Sequence, residues 1–160
     1  MFRVSKKSNM LHVEMRSDLR LIQQINGPCK EFFGQYNVEP GRDVFLVLRE
    51  LISNAVQHGN KGDAKRLVRV SMQHLSLPAD GAENQVHHFT INVEDEGTGF
   101  DYQAQSLSLP QKGGVMTKRG LRLVHALVDE MTFGNAGSSI TVYLHFNPCI
   151  QEKPVLEACV

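Results

Sequence analysis

RELISNAVQHGNKGD, residues 49–63, reads as the end of an amphipathic helix running into a Gly-rich turn. Leu51, Ile52, Ala55 and Val56 recur at the spacing of one buried helix face. Glu50, Asn54 and His58 stand four apart, so they stack as neighbours on a second stripe beside it. An acid and an amide bordering an apolar face lose free energy unless something partners them. The plain structural reading is an exposed polar edge. The functional reading is a ligand face, with Asn54 offering a neutral oxygen to Mg²⁺ and Glu50 acting as a base. His58 reads equally well as a cation near the negative C-terminal end of the helix dipole.

Working outward, Glu39-Pro40 opens this helix, since proline suits a first turn. Its core stripe is Phe45, Leu48, Leu51, Ile52, Ala55 and Val56, and Gly59 to Gly62 ends it. Further upstream, LHVEMR at 11–16 alternates as a strand, and Ser17 stands where an N-cap would. The periodic run Leu19, Ile22, Ile25, Cys29, Phe33 is interrupted at Gly27-Pro28, giving either a kinked helix or two helices.

Downstream, RLVRVSMQHLS at 66–76 and VHHFTINVED at 86–95 are strands, read as a hairpin with a long connection. A Gly/Ser/Gln-rich stretch covers 97–119. GLRLVHALVDEM at 120–131 is a helix with Leu121, Val124, Leu127, Val128 and Met131 on one face, and SITVYLHF at 139–146 is a strand. Together these predict an α+β fold: a two-layer α/β sandwich whose mixed, mostly antiparallel sheet carries helices on one face.

The 160 residues suit one domain, taken as 1–148, with a pattern-free tail over 149–160. Lys+Arg 17 balances Asp+Glu 17, which argues against a bulk polyanion such as DNA as direct partner. Cys29, Cys149 and Cys159 are few and have no metal-like spacing, so a reducing cytoplasm is expected. No apolar run approaches the ~18 residues that span a bilayer, and the N-terminus lacks a signal-peptide core.

Two further stretches carry chemistry. In VEDEGTGFD, 93–101, Phe89, Ile91, Val93 and Asp95 share one strand face by period two. A carboxylate ending a core-facing row needs a donor, and Gly97 and Gly99 permit close approach of a flat ligand. An ordinary turn after a strand is the alternative. In KRGLRLVHALVDE, 118–130, Arg119 and Gly120 open a helix whose N-terminal amides favour phosphate, with Lys112, Lys118 and Arg119 able to add charge. Ordinary capping with solvated cations is the alternative. His87-His88 alternate faces, so at most one points inward.

In this order the three stretches resemble the motifs of the gyrase, heat-shock chaperone, histidine kinase and mismatch-repair (GHKL) ATPase superfamily. ELISNAVQHGN looks like its N box, DEGTGFD like its first glycine box and KRGLRLV like its second. The likeness spans about residues 11 to 146 and implies the Bergerat ATP-binding fold. Within the superfamily the NAVQHGNKGD run and the LVHALVDEMTF helix are most similar to bacterial anti-sigma-factor serine/threonine kinases. Those bind ATP·Mg²⁺, phosphorylate a serine on a STAS-domain anti-sigma antagonist, and sequester a sigma factor as a homodimer.

Carried over, the resemblance implies that Asp95 accepts a hydrogen bond from the adenine amino group. Asn54 would coordinate Mg²⁺, and Glu50 would take the proton from the attacking hydroxyl. Gly97 and Gly99 would border adenine, residues 101–119 would form a lid, and Arg119 and Gly120 would meet the phosphates. His58, Leu121, Lys112 and Lys118 complete the implied nucleotide-binding set. The second glycine box usually reads Gly-x-Gly-Leu, and here Lys118 holds its first glycine position. That departure bears on catalysis more than on adenine recognition. Two other expectations stay open: a non-catalytic docking module of the same fold, and a histidine-kinase catalytic domain acting in trans.

Overall fold

The structure is a computed structural model that describes residues 1–75, 86–99 and 119–146. Its sheet has six strands: β1 (Phe2–Lys7), β2 (Met10–Arg16), β3 (Leu67–Leu75), β4 (His87–Asp95), β5 (Glu130–Gly134) and β6 (Ser139–Phe146). The strand order is β1-β2-β3-β4-β6-β5. Every pairing is antiparallel, so the expected mixed sheet is corrected to a purely antiparallel one. Three α-helices accompany it: α1 (Asn26–Gly34), α2 (Arg42–Asn54) and α3 (Arg119–Leu127).

Period-two patterning sets the sheet's buried face. Leu11, Val13 and Met15 of β2 lie in register with Met72, Val70 and Val68 of β3. Those continue into Ile91 and Val93 of β4, then Val142 and Ile140 of β6. All are buried and join the helix side chains in one core. Each such side chain contributes roughly 1.5–3 kcal/mol by leaving water. The opposite rows, among them His12, Ser71, Thr90, Asn92, Thr141 and Tyr143, are polar and only half-buried.

Helix α2 buries Val44, Val47, Leu48, Leu51 and Ile52, a spacing of i, i+3, i+4, i+7 and i+8. It begins two residues after the expected Pro40 start, at an extended Gly41 cap. Its stripe is rotated so that Val44 and Val47 occupy the core and Phe45 stays at the margin. Gly27-Pro28 marks two helices rather than one: a 3₁₀ segment, Leu19–Ile25, gives way to α1. Asp18, not Ser17, caps the first of these, accepting from Arg20 N at 3.0 Å. Arg20 holds the Asp18 carboxyl down at about 2, chiefly through side-chain hydrogen bonds. Ser17 is buried instead.

Two strands escaped the sequence reading. β1 forms a hairpin with β2 at the sheet edge. β5 takes Met131, so the helix expected over 120–131 ends at Leu127. A helix–strand joint with one apolar residue every three or four positions looks helical until its partner strand is seen. Among the described residues, no helix is long and apolar enough to cross a membrane.

Candidate nucleotide site

Helix α2 does not simply stop. Its last turn widens into a π-turn, Ala55–Gly59, in which Asn60 N–H donates to Ala55 O at 2.7 Å. Single π-turns often occur where a helix re-aims functional residues. Here the extra residue carries Gly59 against the end of β4. A Cβ on Gly59 would lie 2.2 Å from Asp95 Cγ, so only glycine admits this approach. Lys61 and Gly62 then take positive φ to reverse the chain.

Asp95 ends the row Phe89, Ile91, Val93, as its register requires. Its Oδ1 accepts Gly97 N–H at 2.8 Å, and its own N–H donates to Ser138 O at 2.9 Å. Burial raises its pKa above the ordinary carboxylate value, against the lowering pull of the Gly97 amide. Gly97 packs on Gly59, where a Cβ would meet Gly59 O at 2.2 Å. Gly99 has φ +73, and a Cβ there would lie 2.1 Å from Ala136 O. The two glycines of the first glycine box therefore seat the turn on its neighbours.

The third stretch arrives beside the first. Gly120, in the first turn of α3, is so close to α2 that a Cβ would lie 2.8 Å from Glu50 Oε2 and 3.7 Å from Asn54 Nδ2. Glu50 is half-buried and its Oε1 accepts from Arg49 at 3.0 Å. Asn54 Nδ2 is buried with no hydrogen-bond partner among the described residues. An unpartnered buried amide beside a carboxylate is what a polar ligand would complete. Leu121 packs on the core, and His58 is exposed.

Glu50 and Asn54 thus meet Gly120 at the start of α3, Asp95 and Gly97 meet Gly59 just beyond the end of α2, and Gly99 meets Ala136. Arg119 opens α3. Lys112, Lys118, the implied lid and the 149–160 tail lie outside the described residues. Two residues that shape the site were not singled out from sequence, Gly59 and Asn60. Both stand in the quoted N-box stretch, but no periodicity distinguishes a turn glycine or amide that packs from one that is solvated.

The donor set fits a hard cation held chiefly by phosphate oxygens and water, with the Asn54 amide oxygen as its ligand from the protein. Among the described residues, no group of three or more His, Cys, Asp or Glu could hold a metal ion. His87 instead meets His74, Nδ1 to Nε2 at 3.1 Å, and His88 packs edge-on against His145 across the other sheet face.

No curated protein matches the chain. A family model for the histidine kinase-like ATPase domain matches residues 17–144, a span that includes all three motifs and everything from the first helical segment into β6. With the α+β sandwich, the acid at the end of β4 and the acid–amide stripe on α2, the chain belongs to the histidine kinase-like ATPase domain family.

Proposed function

We propose that this domain binds ATP with Mg²⁺ and transfers the terminal phosphoryl group to a serine of a STAS-domain anti-sigma antagonist. In this reading it acts in a bacterial partner-switching pathway, in the cytoplasm, as a homodimer that also holds a sigma factor or another regulator. One observation carries the ATP half. The π-turn that follows Glu50 and the unpartnered Asn54 amide on α2 brings Gly59 against Asp95, a half-buried carboxylate with raised pKa, and Gly120 of α3 lies against Glu50 and Asn54. The serine-kinase half rests on the likeness of the N-box and α3 stretches to anti-sigma kinases.

The division of labour in this reading is as follows. Asp95 keeps Oδ1 on the Gly97 amide, leaving Oδ2 to accept from an adenine amino group. Asn54 would hold the cation through its amide oxygen, leaving its unpartnered Nδ2 to donate to a phosphate oxygen. A bound Mg²⁺ would supply charge neutralisation at the phosphates. Glu50 accepts the proton of the attacking hydroxyl, a role contributing roughly 10²–10⁴-fold in rate.

The test is phosphotransfer from ATP·Mg²⁺ to a STAS-domain partner by wild type and Glu50→Gln. Acid-stable phosphoserine, with the rate down about 10²-fold or more in the variant, is expected. Acid-labile phosphate on the acceptor would replace this reading with a histidine-kinase domain acting in trans. A second reading, the docking module, is favoured by Lys118 in the second glycine box and by the Arg49 ion pair on Glu50. ATP binding without transfer, and partner regulation intact in Glu50→Gln, would establish it.

A further inference from the structure

Asn60 is fully buried, yet it is a polar side chain in no motif role. Its amide makes three hydrogen bonds to three separate segments. Nδ2 donates to Ser17 Oγ at the end of β2 at 2.9 Å and to Leu67 O at the start of β3 at 2.8 Å. Oδ1 accepts the backbone N–H of Glu96 at 2.9 Å. Both amide hydrogens and one acceptor position are therefore used, and the geometry fixes which way the amide faces.

The Glu96 contact matters most. Glu96 lies between Asp95 and Gly97, the residues that would meet the base. Its side chain is tied down as well, accepting from Leu67 N at 3.0 Å and from Arg69 at 2.7 Å. The turn is thus clamped from inside by Asn60 and from outside by Leu67 and Arg69. An amide in a dry interior holds its partner more firmly than one in water, and losing it leaves a buried N–H unpaired. The π-turn of α2 places Asn60 there, since Asn60 N–H closes that turn onto Ala55 O.

We infer that Asn60 is a positioning residue for the base pocket: it locks the Glu96 peptide, and through it the direction of the Asp95 carboxylate. This rests on the ATP-binding reading. It touches neither phosphate nor cation, so its effect falls on the base alone. That separates it from a residue that merely supports the fold.

The experiment is calorimetric titration of ATP·Mg²⁺ and of inorganic tripolyphosphate·Mg²⁺ into wild type, Asn60→Ala and Asn92→Ala. Asn92 is a matched control, a half-buried amide with two hydrogen bonds on the opposite face of β4. Asn60→Ala is expected to weaken ATP by about tenfold or more while tripolyphosphate stays within about twofold. Asn92→Ala should leave both within about twofold. Equal loss of both ligands, or an unchanged ATP affinity, overturns the inference.

Ser17→Ala strips one of the three bonds and is the milder variant should Asn60→Ala not fold. It should lower ATP relative to tripolyphosphate by about two- to threefold, and an unchanged ratio overturns the inference. If the wild type binds no ATP, the proposed function falls separately. Hydrogen exchange at the Glu96 and Gly97 amides then decides. Acceleration of about tenfold in Asn60→Ala beyond that in Asn92→Ala upholds the lock, and equal rates reject it.

Discussion

At Asp95 two opposing influences meet. Burial disfavours its charge, while the Gly97 amide favours it, and burial prevails. Its folded pKa therefore exceeds the unfolded value of 3.8. Between those two values the folded state holds the proton that the unfolded chain has lost. Stability accordingly falls as pH rises through that interval and stays at the lower level above it. Ionised Asp95 is a burden on the free protein that a bound amino donor relieves. Asp95→Asn should thus keep or raise the ligand-free melting temperature at neutral pH, read by circular dichroism. Its ATP affinity should drop roughly 10- to 150-fold, the loss of a charge-assisted bond worth about 1.5–3 kcal/mol. A variant that melts earlier and binds ATP normally would contradict both halves. Gly59→Ala tests the same contact from the other side. Its Cβ would intrude to 2.2 Å from Asp95 Cγ, so we expect a loss of about 1–3 kcal/mol in urea denaturation and no ATP binding. The acid and its glycine neighbours in DEGTGFD were legible in sequence, because strand alternation projects Asp95 inward whatever the remaining fold. Gly59 was not, because its constraint comes from a residue 36 positions away.

The far end of the β3–β4 pair is built differently. His74 is buried, stacks on Tyr36 in the turn after α1 at a centroid distance of 3.9 Å and shares a hydrogen bond with His87. Tyr36 in turn donates to Ser8 O, and the His74 N–H donates to Asn9 O, which joins the turn after α1, the β1–β2 turn and this pair. Burial, then the proximity of His87 and His88, lowers the His74 pKa. The unfolded chain therefore gains a proton at higher pH than the fold does. Stability is complete above the unfolded value of 6.5 and declines as pH falls through it toward the lowered folded value. Urea midpoints should drop between pH 8 and pH 5, and His74→Phe, which keeps a ring against Tyr36, should flatten that dependence. A variant as acid-sensitive as wild type would place the titration elsewhere. In sequence His74 was only one position in the strand read over 66–76. Its histidine partner and its aromatic lid come from other elements, so no local pattern announces them.

Across the molecule, Phe89 ties the layers together. Its ring packs against Phe32, Phe33 and Tyr36 from α1 and its following turn, against His74 of β3 and against Phe146 of β6. Phe89→Ala should lower unfolding free energy by about 3–5 kcal/mol, a large fraction of a small domain's stability. Secondary structure and tertiary signals should be lost together, since the cluster spans both layers. Cys29 lies fully buried in the same core, and burial pushes its thiol up to about 12, so it stays protonated and unreactive in the folded state.

By itself the sequence determined the buried row of β4 and most of the buried stripe of α2, though not its Val44 and Val47 end. Backbone geometry fixes a period of two in β4 and 3.6 in α2, so their apolar rows and the polar stripe Glu50–Asn54 follow from local order alone. It also carried the three motifs that the family match spans. Tertiary structure alone decided which ends meet. The conversion of Met131 from helix face to β5 and the burial of Asn60 depend on partners in other elements. The physical reason is that a buried amide or a close glycine contact is favourable only when its partner is in place. That partner is supplied by register and packing, which no single stretch of residues contains.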